Sequence, residues 1–253
     1  MINQYDKNIL LKFPKKRKEL PTAYKEIYTE HYLINREGKS AATSYSKKLE
    51  NWLHKMIAKD VIDMEIQKTT LEIGAGTLNQ LVFEPGHCNY DIVEPFSELY
   101  EKSPRLMSVR NIYSDISEIK DVAYDRITSV AVFEHIVDLP SVVAHAALLL
   151  NDGGCLRSAI PSEGTPLWKL GTKITGYEFK KKYNLDYEVL MDYEHVNTAK
   201  EIEDVLNYFF EQTEKNNFGI SKYLSLYQFY EHKYPKVDLA KEYLSSRYYL
   251  GCG

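Results

Sequence analysis

The chain has 253 residues, 44% of them hydrophobic, and a formal net charge of -4. That length supplies one large α/β core with a small appendage, and the acidic balance leaves no overall field to draw a polyanion. Three cysteines, Cys88, Cys155 and Cys252, stand far apart without a CxxC pair, which excludes a thiolate zinc site and a disulfide framework and fits a reducing compartment.

In chain order, the N-terminus "MINQYDKNILLKF" lacks the apolar core of a signal peptide, and the basic run "PKKRK" from Pro14 reads as a solvated face. From Pro21 to about Ala58, "YKEIYTEHYLINREG" and "SYSKKLENWLHKMIA" are amphipathic at helical spacing, with a break at Gly38 and Ser40. Residues 1–60 are therefore expected to form an N-terminal helical cap and 61–253 the main domain. There the rhythm changes to short β-rich runs: "TTLEIGA", "YDIVEP", "SVRNIYSDI", "RITSVAVFEH" and "GGCLRSAIPS". Between the last two, "LPSVVAHAALLLND" spaces its apolar residues as a helix and ends on a glycine stop. Its apolar run is far too short to span a bilayer, so a soluble, cytoplasmic protein with no membrane or nucleic-acid partner is expected. Strands of continuous hydrophobicity imply a parallel sheet covered on both faces. Residues 164–197 leave this rhythm and are expected as an insertion after the fifth strand, over the sheet's carboxyl edge. "AKEIEDVLNYFFEQ" then predicts an amphipathic helix, and "FGISKYLSL" and "SRYYLGC" two further β-like runs.

The chemistry concentrates at the strand ends. Gly74, Ala75 and Gly76 follow the first strand, where a Gly-x-Gly turn lets a ligand approach bare backbone. Thr77 to Asn79 lack the third glycine of a dinucleotide fingerprint. Glu72 lies inside the strand, where an unpaired carboxylate is costly, and a cationic ligand such as S-adenosylmethionine would relieve it. Glu94, ending the second strand, is spaced to accept ribose hydroxyls; Asp115 and Ile116, after the third, suit an adenine amino group and ring. Phe133, Glu134 and His135 end the fourth strand.

This ordered set, from Thr69 to Ser162, resembles the class I S-adenosylmethionine-dependent methyltransferases, particularly small-molecule enzymes whose fourth strand ends in "EH". The resemblance implies a Rossmann-like seven-stranded, mostly parallel sheet with an antiparallel last strand. It further implies cofactor contacts at Glu72, Gly74, Ala75, Gly76, Glu94, Pro95, Asp115, Ile116, Phe133 and Glu134, with S-adenosylhomocysteine as the product. A hydroxyl acceptor needs a base, for which His135 and His195 are both candidates. Some relatives of this strand use a metal and carry a glutamate three residues before the "EH" pair. Ala131 stands there, and Glu134, His135 and His195 are too few for Mg²⁺, so no metal requirement is expected.

For the acceptor, Trp168 offers a stacking face and Lys169 a charge for a phosphate, with Tyr32, Arg36 and Asn197 as further candidates. The insertion and N-terminal helices look similar to methyltransferases of bacterial surface-polysaccharide pathways. That similarity implies O-methylation of a nucleotide- or phosphate-linked sugar, a heptose or deoxysugar among the possibilities, by a monomer or homodimer. An RNA or quinone methyltransferase and a non-catalytic cofactor-binding protein stay open as alternatives.

Overall fold

The computed structural model describes residues 7–28, 43–62, 67–84, 89–163, 165–221 and 224–250. Tyr32, Arg36 and the break at Gly38 and Ser40 lie outside the described residues. Seven strands form one sheet: β1 (Thr70–Ile73), β2 (Tyr90–Val93), β3 (Asn111–Tyr113), β4 (Tyr124–Val130), β5 (Leu150–Pro161), β6 (Phe210–Ser221) and β7 (Leu224–Pro235), in the order β3-β2-β1-β4-β5-β7-β6. β1 to β5 are parallel, and β7 runs antiparallel to β5 and β6. All four residues of β1 and of β2 are buried, the signature of strands covered on both faces.

Six helices accompany the sheet among the described residues, besides a helical stretch at 22–28: α1 (Thr43–Ala58), α2 (Leu139–Leu148), α3 (Pro166–Tyr183), α4 (Tyr187–Glu194), α5 (Ala199–Phe209) and α6 (Val237–Leu250). α5 is the most strongly amphipathic, as its sequence predicts, and begins with a capping box between Thr198 and Glu201. Among the described residues only α2 forms a full helical crossover between the early strands; Pro95 precedes one short 3-10 turn and Pro104 begins another.

The C-terminal expectations need correction. "SRYYLGC" is not a strand: its residues up to Leu250 belong to α6. Tyr243 of α6 is packed in the main core with Phe209 and α2's Leu139 and Val143, and burial of that helical stripe overrides the β-branched and aromatic local preference. Of "FGISKYLSL", the residues up to Ser221 end β6 and those from Leu224 begin β7, and both strands extend far beyond the run.

Parts of residues 7–28 and 43–58 pack on the sheet domain. Ile9 and Phe13 join the main core, while Leu53 and Ile57 of α1 pack on Ala159 and Phe229 of β5 and β7. The buried Arg126 and Arg157 reach from β4 and β5 to the carbonyl groups of Met56 and Ile57 at 2.7–3.0 Å. They satisfy acceptors that a helix C-terminus leaves open and bring positive charge to its negative end. Leu20 and Tyr24 instead pack with Phe179 of α3 and Leu190 of α4, making a second small core.

Candidate active site

The parallel register sets Ile73 beside Val93 and Ser129, and Val93 beside Tyr113, so the residues that follow these strands share one edge of the sheet. β1 turns through Gly74 (φ 72°) and Gly76 (φ 51°). A Cβ on Gly74 would lie 2.5 Å from Val132 Cγ2, so the turn sits against the end of β4 only because that residue is glycine. Ala75 is buried with Leu78, Tyr90 and Ile92. Glu94 reaches across from β2: its carboxylate accepts the Gly76 N–H at 2.8 Å and the Phe96 N–H at 3.1 Å. Gly76 and Glu94, the acid expected at a ribose, are thus joined by a hydrogen bond, with Pro95 exposed beside them.

Asp115 is exposed, and its Oδ1 accepts the Ser117 N–H at 2.8 Å, capping the turn Ile116–Glu118. Ile116, expected as a wall for adenine, is buried in the main core instead. Glu72 is also buried. The relief expected from a cationic ligand comes here from the Tyr90 hydroxyl, which donates to Oε2 at 2.9 Å, and burial pushes the carboxyl up to about 8.

Past β4 the chain runs through Ala131 (φ 52°) into a 3-10 turn, Phe133–His135. The Phe133 ring, expected as a cofactor contact, is fully buried in the main core. The backbone carbonyl of Glu134 accepts the N–H groups of Val196 and Asn197 at 2.8 and 3.1 Å. Asn197, expected at the acceptor, is a buried strut: its amide nitrogen donates to the carbonyls of Phe133 and Ile136 at 2.8 and 2.7 Å. Both amide hydrogens are spent on holding the end of the insertion to the end of β4.

The run "PKKRK" is not a solvated face. Arg17 donates to the carbonyls of His135 and Tyr193 at 2.7 Å each, and Lys15 to that of Val196 at 2.9 Å, while Lys16 and Lys18 between and beyond them are exposed. Alternate residues point inward and clasp the same junction.

At that junction the two candidate bases meet. The His135 and His195 rings lie edge to face, 4.8 Å between centroids. His135 Nδ1 faces the Glu194 carbonyl at 2.9 Å, and His195 Nδ1 is hydrogen-bonded to Glu163 Oε1. Trp168, positioned by the Thr165 cap of α3, stacks over His195 at 6.4 Å and meets Tyr227 of β7 edge-on. Burial pushes the Glu134 carboxyl up to about 7, with His195 opposing. Burial disfavours charge on His195, but the Glu163 hydrogen bond and the carboxylates of Glu134 and Glu194 outweigh it and raise its pKa. A cavity of about 520 Å³ opens from here, lined by Glu163, Trp168, Lys169, Lys173, Tyr187 and His195 among others. It brings together the predicted Trp168, Lys169 and His195. Glu163 is a residue that sequence reasoning misses, although it stands two residues past β5, as Asp115 does past β3.

Comparison by sequence found no matching family model and no matching curated protein. Comparison by structure did. A methyltransferase from Thermotoga maritima, described as S-adenosylmethionine-dependent and a possible histamine N-methyltransferase, matches with a TM-score of 0.54 at 15% identity, over 83% of this chain and 97% of its own. The fold is that of the S-adenosylmethionine-dependent methyltransferases. The plantazolicin methyltransferase BpumL, solved with a desmethyl substrate analogue and S-adenosylhomocysteine, matches at 0.54 and 12% identity over 84% and 94%. An O-methyltransferase family protein from Burkholderia thailandensis matches at 0.52 and 12% identity over 89% and 68%. The last strand, β7, is antiparallel, as the resemblance in the sequence implies, and the structure places it between β5 and β6.

Proposed function

We propose that the chain is an S-adenosylmethionine-dependent O-methyltransferase whose acceptor is a sugar hydroxyl carried on a nucleotide or phosphate. One observation carries this reading: the hydrogen-bonded Gly76–Glu94 pair and Asp115 share the carboxyl edge of the sheet with Glu134 and His135, next to the cavity that holds His195, Trp168 and Lys169. S-adenosylmethionine, when bound, supplies an electrophilic methyl group with a neutral thioether as leaving group. Glu94 accepts the ribose hydroxyls and Asp115 the adenine amino group, while the bare backbone of the glycine turn admits the nucleoside. Trp168 gives the acceptor ring an apolar face, Lys169 meets its phosphate, and the His135–His195 pair removes the hydroxyl proton. α3 and α4 act as the lid over the acceptor, and holding it in line provides much of the rate, on the order of 7–11 kcal/mol for well-oriented reactants.

Calorimetry with S-adenosylhomocysteine tests the cofactor half of this reading, and saturable binding is expected. Incubation with methyl-labelled cofactor and either nucleotide-sugar pools or RNA tests the acceptor half. Label in the sugar nucleotides is expected; label confined to RNA, or to an amine, would overturn the choice.

A further inference from the structure

We infer that Glu134, His135 and His195 form a binding site for a first-row divalent transition-metal ion at the boundary between the cofactor edge and the acceptor cavity. Each contributes one donor atom, and the three atoms lie within 4.8 Å of one another. The imidazoles are oriented for the task. The Glu194 carbonyl can only accept, so His135 Nδ1 carries the hydrogen, and the Glu163 carboxylate likewise fixes the hydrogen of His195 on Nδ1. Each ring therefore presents the Nε2 lone pair on its other side, the tautomer that a carboxylate or carbonyl partner imposes on metal-ligating histidines. His135 Nε2 is 3.9 Å from Glu134 Oε1. Glu134 is 2% exposed, yet its Oε2 has no hydrogen-bond partner, an expensive state for a buried carboxylate unless a cation fills the gap.

Ligands at roughly 2.0–2.2 Å around a tetrahedral ion stand about 3.3–3.6 Å apart, so the group needs to close by about 1 Å to bind. Two imidazoles and one carboxylate favour Zn²⁺, Co²⁺ or Mn²⁺ over Mg²⁺, which prefers an oxygen set. That preference agrees with the argument from ligand number against Mg²⁺. Three protein ligands leave an open position, and the cavity lined by His195 lies beside it. The site does not depend on the proposed function, but its use does: with the ion bound, both Nε2 lone pairs are taken, so the ion replaces the histidine pair as the activating group, holding the acceptor hydroxyl oxygen as its next ligand and making that proton easier to lose to solvent.

The test is titration of the metal-free protein with Co²⁺, followed by its visible d–d bands, and calorimetry with Zn²⁺, Mn²⁺ and Mg²⁺. One-to-one Co²⁺ and Zn²⁺ binding, with Mg²⁺ much weaker, is expected. Glu134→Gln and His195→Ala should abolish the Co²⁺ spectrum, and Glu163→Gln should weaken binding roughly 10–100-fold, the usual effect of removing a carboxylate behind a ligating histidine. Circular dichroism identifies any variant that fails to fold, in which case His135→Ala takes its place. A featureless Co²⁺ titration of the wild type, or variants that bind as it does, would overturn the site. Titration with S-adenosylhomocysteine in parallel separates the two readings: cofactor binding without metal binding sinks only this inference, and metal binding without cofactor binding sinks only the methyltransferase reading.

Discussion

Replacing Glu72 by glutamine is expected to stabilise the fold and weaken cofactor binding together. Burial lifts this carboxyl from 4.5 to about 8, and the hydrogen bond from Tyr90 opposes the shift only in part. The folded state therefore keeps the proton up to about pH 8, whereas the unfolded chain gives it up above about pH 4.5. Unfolding releases a proton throughout that window, so stability is greatest below pH 4.5 and falls as pH rises toward 8. At about 1.36 kcal/mol per pH unit, the loss reaches roughly 3 kcal/mol by pH 7. Glutamine keeps an acceptor for Tyr90 and has no proton to lose. Urea unfolding at several pH values should show the two proteins nearly equal near pH 4.5 and Glu72→Gln ahead by roughly 3 kcal/mol at pH 7. Taking the difference between the two curves cancels every other titrating group. Parallel curves across the window would refute the reasoning. Under the proposed function, calorimetry should also show the variant losing more affinity for the sulfonium cofactor than for its neutral thioether product.

Glu94→Ala should lower S-adenosylhomocysteine affinity at least about tenfold, since charge-assisted hydrogen bonds are worth roughly 1.5–3 kcal/mol each; unchanged affinity in calorimetry would place the ribose elsewhere. Gly74→Ala forces a side chain into a left-handed turn and against Val132, a cost of about 2–5 kcal/mol that a urea midpoint will register; a stabilised protein would contradict it. Thr213 gives its hydrogen to Asn207, so His232 Nδ1–H donates to Thr213 and the buried Nε2 is left bare. Burial lowers this histidine to about 3, so the unfolded chain takes up a proton first, and stability is full above about pH 6.5 and lost as pH falls toward 3. His232→Asn, which keeps the donor to Thr213, should remove about one proton from the acid limb of the stability curve; an unaltered limb would exclude His232 as its source.

The site was legible in proportion to how locally each residue acts. The common edge of Gly74, Gly76, Glu94 and Asp115 was legible from their offsets to β-rich runs, because parallel pairing in register carries strand ends together whatever else the chain does. The burial of Phe133, Ile116 and Asn197 was not legible for the opposite reason: whether a residue next to a motif points into the cleft or the core is set by packing, and all three are buried. Glu163 had no motif around it, and only the folded chain brings it to His195 across 32 residues.

By itself, the sequence determined the parallel core and the glycine turn at its edge, since continuous apolar strands and a glycine turn are short-range properties of the chain. Tertiary structure decided the rest. It turned the aromatic C-terminal run into α6 by burying Tyr243, turned the basic N-terminal run into a clasp on His135, and brought Glu134, His135 and His195 together. Those outcomes depend on partners dozens to more than a hundred residues away, whose burial outweighs local preference and which no window of the sequence contains.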